Sequence, residues 1–380
     1  MRFADIEGQA QTKARLIRSV QENRISHAQL FVGPEGNGKL ALAVAYAQYI
    51  NCSKRNNTDS CGECKSCKKY KKLVHPDLMF VYPVVKKGSN SVKSTDYINE
   101  WVDLFSKTPH FSLFSWLSHI GVGNSQGTIY SSESLEIIKR LSLKSYESPY
   151  KTIIIWLPEK MQVECANKIL KILEEPPQNT VFLLVSEEES ALLDTIRSRT
   201  QKIDIPKFNK TDISRILTKD YPHIGSNEIE TIAQQCEGNV EASRQMLENN
   251  ELTEGDSNSQ NLEYFKDLMR TAWKKQWSEL FTWADTLASQ GREKQKDFLE
   301  YSIIFIRNNF ILNLQEPSMV HVSTEEMSFA TNFSKFINEK NIWDFYQMLE
   351  ECHFDIQRNG NAKIIFLDMA LKTAKFLRKN

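Results

Sequence analysis

Cys52, Cys61, Cys64 and Cys67 follow a C-x8-C-x2-C-x2-C spacing, which gathers four thiolates in one short segment and suits a single tetrahedral ion. In a chain kept in a reducing compartment that pattern points to zinc and not to disulfides. Four protein ligands leave no coordination position for water, so the expected ion is structural and not catalytic. Gly62, Lys65 and Ser66 between the cysteines suit tight turns better than a hydrophobic core. A second constellation lies upstream. Gly33-Pro34-Glu35-Gly36-Asn37-Gly38-Lys39-Leu40 has the spacing of a phosphate-binding loop through its lysine. The glycines let backbone N–H groups converge on phosphate oxygens, and Lys39 would neutralise their charge. The next position calls for a Ser or Thr hydroxyl to hold magnesium, and Leu40 offers none. For Gly33, Gly36, Gly38 and Lys39 two readings stay open: ATP or ADP held without turnover, or a pocket plugged by side chains.

Such a loop works where a strand feeds a helix, and Gln29-Leu30-Phe31-Val32 reads as that strand. Lys151 to Trp156 and Val181 to Val185 are further β-branched or apolar runs. Their alternation with helical patterns over residues 1–205 predicts an α/β domain with a parallel sheet covered on both faces. Val163, Ala166, Ile169, Leu170 and Leu173 describe an amphipathic helix stopped by Pro176-Pro177. Beyond Pro206 the strand pattern ceases. Residues 206–250 read as a small helical domain that closes near Gly238-Asn239, residues 251–261 as a polar linker, and residues 262–380 as an all-α domain. Leu262, Phe265, Leu268, Met269, Ala272, Trp273, Trp277, Phe281 and Trp283 are expected to form its bundle core. Residues 84–116, lysine- and serine-rich and then aromatic, carry no phosphate or metal motif, and their rings are expected in core or interface packing.

The 48 basic and 48 acidic residues balance, so any attraction to nucleic acid must be local. Lys54, Arg55, Lys65, Lys68, Lys69, Lys71 and Lys72 make such a patch around the cysteines; a solvated surface explains it as readily as a phosphate backbone. Cys165, Cys236 and Cys352 lie on helical patterns and read as buried. No apolar run approaches the ~18 residues of a membrane span. The segment from Met1 to Asp5 lacks the apolar core of a secretory signal, so a cytoplasmic protein without a membrane partner is expected.

Four features in order carry a resemblance: the phosphate loop after His27-Ala28, the clustered cysteines, Ala166-Asn167-Lys168-Ile169-Leu170-Lys171-Ile172-Leu173-Glu174-Glu175-Pro176-Pro177, and Thr195-Ile196-Arg197-Ser198-Arg199. Together they resemble the clamp-loader subunits of bacterial DNA polymerase III, which are AAA+ proteins, over roughly the first 240 residues. Aligned on Met161 and Glu174-Glu175-Pro176-Pro177, the family's magnesium-ordering Asp and water-activating Glu fall on Trp156 and Leu157. Glu159, past Pro158, is expected to be a surface or helix-capping carboxylate. The family's Ser-Arg-Cys motif, which completes a neighbour's ATP site in trans, falls on Ser198, Arg199 and Thr200. Arg197 is expected in a structural ion pair, and the arginine of the family's second domain is replaced by Glu241. The resemblance implies an AAA+ P-loop domain with an inserted zinc module at 52–67, a small helical lid and a C-terminal helical collar. It further implies a non-hydrolysing stator in a five-subunit ring with gamma/tau and delta subunits, meeting the sliding clamp and primed DNA through the complex. Two alternatives remain: a gamma/tau-type ATPase subunit, and a zinc-dependent nucleic-acid binding module on a vestigial AAA+ fold.

Overall fold

Five strands form one sheet. The computed structural model describes residues 1–86, 91–123, 125–251, 257–315, 320, 324–358 and 360–379, which divide into the compact units Met1–Glu248 and Asn249–Asn380. In the first unit β1 (Ala28–Val32), β2 (Leu78–Val81), β3 (Lys151–Trp156), β4 (Thr180–Ser186) and β5 (Gln201–Asp204) pair in the order β2-β3-β4-β1-β5. Every pairing is parallel, with Ala28 opposite Phe182 and Gln29 opposite Gln201. Strands buried on both faces read as unbroken apolar runs, which is why β1, β3 and β4 stand out in the sequence. The four-residue β2 and the edge strand β5, where only Ile203 is buried, carry too little pattern to do so.

Helices cover both faces: α1 (Ala10–Gln21), α2 (Lys39–Ile50), α3 (Lys65–Lys71), α4 (Ile98–Lys107), α5 (Leu113–His119), α6 (Ser131–Ser142), α7 (Val163–Glu174) and the one-turn α8 (Asp194–Arg197). Helix α2 is buried on every side, as a helix apolar all round must be. Helix α7 ends at Glu174, ahead of Pro176-Pro177. The crossover from β2 to β3 holds α4, α5 and α6. Trp101, Phe105, Phe111 and Trp116 from it are buried in the sheet's core, so the aromatic segment is core; Lys87 to Asn90 lie outside the described residues. Helices α9 (Lys210–Asp220), α10 (Ser226–Gln235) and α11 (Val240–Glu251) have a core of their own around Phe208, Ile213, Leu217, Ile229 and Leu247.

The second unit is helical throughout its described residues: α12 (Ser257–Lys274), α13 (Trp277–Ala288), α14 (Arg292–Asn313), α15 (Thr324–Phe333), α16 (Ile342–Gln357) and α17 (Ala362–Phe376). Residues 257–261, expected in a polar linker, instead open α12. Leu262, Phe265, Leu268, Met269, Ala272 and Trp283 are core as expected. Trp273, Trp277 and Phe281 are not, remaining 45%, 46% and 52% exposed. On α13 the inward stripe is Leu280, Trp283, Ala284 and Leu287; 3.6-residue periodicity turns Phe281 away from it, while Trp277, in phase with Leu280 and Ala284, stands at the helix's first residue and stays half exposed. No helix among the described residues is long and apolar enough to cross a membrane.

Candidate functional site

Strand β1 delivers the phosphate loop to the N-terminus of α2, and Gly36 and Gly38 take φ of 70° and 80° there, a region that glycine enters freely. What surrounds the loop is protein. A Cβ on Gly36 would meet Asn239 Oδ1 at 1.9 Å, and one on Gly38 would meet Phe208 Cζ at 2.9 Å and His110 Cε1 at 3.3 Å. The Gly36 carbonyl accepts from Val240 N at 3.2 Å, so the first turn of α11 bonds the loop itself. Gly33 N donates to Ser186 O at 3.3 Å, and buried Asn37 donates to Ile205 O at 2.7 Å. Lys39 is 4% exposed. Its ammonium donates to Pro34 O at 2.9 Å and pairs with Glu187 at 3.1 Å. Burial, with Glu187 nearby, pushes the Glu35 carboxyl up to about 7. The lysine that would meet a phosphate is thus already neutralised, among carboxylates that repel one.

Leu40 lies in the apolar core. Trp156 is buried at the end of β3 with ring centroids 5.4 Å from Trp101 and 5.1 Å from Phe111. Leu157, also buried, follows at φ 55° and donates its N–H to Val185 O at 2.8 Å. Neither position offers a group for magnesium or water. Glu159 departs from its expected surface role: Oε1 accepts from Glu187 N at 2.9 Å, while Oε2 is buried with no partner. Burial raises its pKa. Pro158 turns the chain inward toward the end of β4, which a pattern of single residues does not reveal.

The four cysteines converge. Their Sγ atoms lie within 4.8 Å of one another, with Cys52 to Cys61 at 3.5 Å, Cys52 to Cys64 at 4.0 Å and Cys61 to Cys67 at 3.9 Å. A tetrahedron of Zn–S bonds of about 2.3 Å has S···S edges of about 3.8 Å, so the donor set fits one ion. Cys61, Cys64 and Cys67 N–H groups each point at the preceding sulfur in the set, at 3.3 to 3.4 Å. Burial works against ionisation of Cys64, but hydrogen bonds from Cys67 N–H and from the Ser53 side chain and N–H overcome it and bring the thiol down to about 6, while burial pushes the Cys52 and Cys67 thiols up. Lys54, Arg55, Lys65, Lys68, Lys71 and Lys72 are exposed around the cluster, where they would offset the negative charge of a zinc tetrathiolate. Cys165, Cys236 and Cys352 are buried, as expected.

Arg199 follows α8 and remains about one-third exposed, with Nη2 2.5 Å from Glu174 Oε1 at the end of α7. Its Nη1 donates to Thr195 O at 2.9 Å and to Ser198 Oγ at 3.3 Å. The local-carboxylate partner is present, yet it sits at the surface. Arg197 forms its expected ion pair, with Asp194. Glu241, buried, accepts from Ser115 Oγ.

Sequence reasoning placed none of Glu187, Asn239, Phe208 or His110 at the loop, because no phosphate-loop motif contains them and each arrives from a distant segment. A buried Ser148–His75 pair at 3.0 Å resembles a nucleophile and its base. It is not one: Asp77 N donates to His75 Nδ1 at 3.1 Å, which leaves the proton on Nε2 facing the serine.

A family model described as DNA polymerase III, delta subunit, matches residues 8–209. The chain is 22% identical over 382 residues to DNA polymerase III subunit tau of Bacillus subtilis, covering 96% of this chain and 60% of that protein. It is 30% identical over 211 residues to DNA polymerase III subunit delta' of the same organism, covering 55% of this chain and 51% of that one. It therefore spans about half to three-fifths of these relatives' lengths. Among solved structures, a DNA polymerase III gamma subunit-related protein of Thermotoga maritima overlays with a TM-score of 0.33 at 14% identity, over 98% of this chain and 100% of that chain.

Proposed function

The chain belongs to the DNA polymerase III delta-subunit family of clamp-loader proteins, and we propose that within it this is a delta'-type stator, which does not hydrolyse ATP and lends Arg199 to a neighbour's ATP site. One observation carries the reading: Lys39 is spent on Glu187 and Pro34 O inside the fold, while Arg199 stays at the surface. An arginine presented from outside can stabilise the charge of a transferring phosphoryl group, and Ser198 braces it. Leu40, Trp156 and Leu157 supply none of the groups that handle magnesium and water. Cys52, Cys61, Cys64 and Cys67 would hold zinc, which fixes the fold of residues 52–67 and takes no part in hydrolysis. Residues 206–250 serve as the lid and residues 262–380 as a collar, whose exposed Trp273, Trp277 and Phe281 suit contact with other subunits. The partners in this reading are gamma/tau and delta subunits in a five-subunit cytoplasmic ring, with the sliding clamp and primed DNA reached through the complex.

A gamma/tau-type ATPase is the second reading, favoured by the tau relative's alignment over 96% of the chain. Two assays separate them. The stator reading expects no magnesium-dependent ATPase in the isolated chain. It also expects Arg199→Ala, in a ring rebuilt with gamma/tau and delta subunits, to slow the one site it serves by about 10³-fold. Turnover by the isolated chain would establish the ATPase reading, and an unaltered Arg199→Ala ring would sink the stator reading.

A further inference from the structure

The segment between β2 and α6 does more than fill the core. Trp101, Phe111 and Trp116 anchor residues 94–120 in the sheet domain, where Trp116 Nε1 donates to Pro83 O at 2.8 Å. From that anchorage two polar side chains reach α11. Ser115 Oγ donates to Glu241, across 126 residues of sequence, and Arg244 Nη1 donates to Thr108 Oγ1, across 136. Arg244 is held from its other side by Asp220 at 2.6 Å, so this contact extends from α11 to α9. Between them His110 lies over Gly38 and edge-on to Phe208, with ring centroids 5.8 Å apart. Its Nδ1 is buried without a partner, a destabilising arrangement that packing alone would not select.

A helix whose N-terminus rests on a phosphate loop is an anion clamp by default, since its free N–H groups and dipole favour a phosphate between them. Here Val240 N is spent on Gly36 O, and Glu241 puts a carboxylate in the first turn of α11. Nothing in that arrangement asks for an anion to join lid and loop. The joining is shared between the direct bond of Val240 N to Gly36 O and the two side-chain contacts from the segment after β2.

We propose that residues 94–120 are a built-in strap that holds the lid, α9 to α11, against the phosphate loop in place of a bound nucleotide. The strap gives one fixed core-to-lid arrangement that does not depend on ATP or ADP. It deepens the reading that this chain does not turn over ATP, but its test is separate: it reads lid motion in the chain alone, whereas the Arg199→Ala ring reads a neighbour's hydrolysis.

The experiment is amide hydrogen exchange on the full chain. In a Thr108→Val, Ser115→Ala variant, exchange over residues 226–247 should rise about tenfold or more while β1, β3 and β4 keep their protection. Adding ATP or ADP with magnesium should change neither protein. Unchanged lid exchange in the variant overturns the strap, and so does nucleotide-dependent slowing of lid exchange in the wild type. If the double variant exchanges throughout, Ser115→Ala and Ser115→Thr read the same contact singly. Protection lost in the first and kept in the second supports the strap; equal protection in both overturns it.

Discussion

Lys39 sets the charge of the phosphate loop, and its neighbours set it against an anion. Glu35 makes that visible in pH dependence. Its carboxyl is raised from an ordinary 4.5 to about 7 by burial and by Glu187, so between those values the folded chain binds more proton than the unfolded one. Stability from this group is therefore present at low pH and lost as pH rises toward 7. Glu35→Gln should stabilise the chain progressively from pH 5 to 7, by at most about 1.4 kcal/mol per unit, as read from urea midpoints. His110 works in the opposite direction. Burial, then Arg244 and Lys39, lowers its pKa from 6.5 to about 3; the unfolded chain binds the extra proton, and stability falls as pH drops through that window. His110→Asn should flatten the acid limb of a melting profile below pH 6.5. At Arg199 a lysine is no substitute, because Nη2 engages Glu174 while Nη1 bonds Thr195 O and Ser198 Oγ, two arms of one planar fork. Arg199→Lys in the ring should lose most of what Arg199→Ala loses, measured by ATPase with primed DNA.

Strand β3 shows why a single change would not place a working carboxylate at its end. Trp156 sits among Trp101 and Phe111, rings contributed by the segment that follows β2. Trp156→Asp would place an unpaired carboxylate in that cluster and remove one of its indole rings, at a cost of about 3–5 kcal/mol. Chemical denaturation of the variant should show that loss, and its ATPase should remain at background. The inserted aromatic segment and the apolar strand end form one packing unit. Helix α13 carries the complementary lesson: its aromatic richness reads as core, yet Phe281 lies about 100° round the helix from Leu280 and Trp277 stands at its first residue, and both stay about half exposed.

At the scale of the molecule, the sheet domain with α9 to α11 and the bundle of α12 to α17 have separate hydrophobic cores. With zinc held by Cys52, Cys61, Cys64 and Cys67 as proposed, a chelator should therefore lower the melting transition of the first unit and leave that of the second in place, as seen by calorimetry. The clustering of the four cysteines, the apolar Leu40 and the arginine at Arg199 were legible because each is a local pattern whose spacing is its geometry. The sheet was legible from β1, β3 and β4, since parallel strands buried on both faces announce themselves. The state of the phosphate loop was not. Glu187 reaches Lys39 across 148 residues and Asn239 reaches Glu35 across 204; His110 and Phe208 close on Gly38 from two other segments. Sequence alone determined that Leu40, Trp156 and Leu157 carry no group for magnesium or water, because residue type decides what an atom can coordinate. Only the tertiary structure decided that the loop is covered, because covering is a matter of which distant side chains the fold brings to one place.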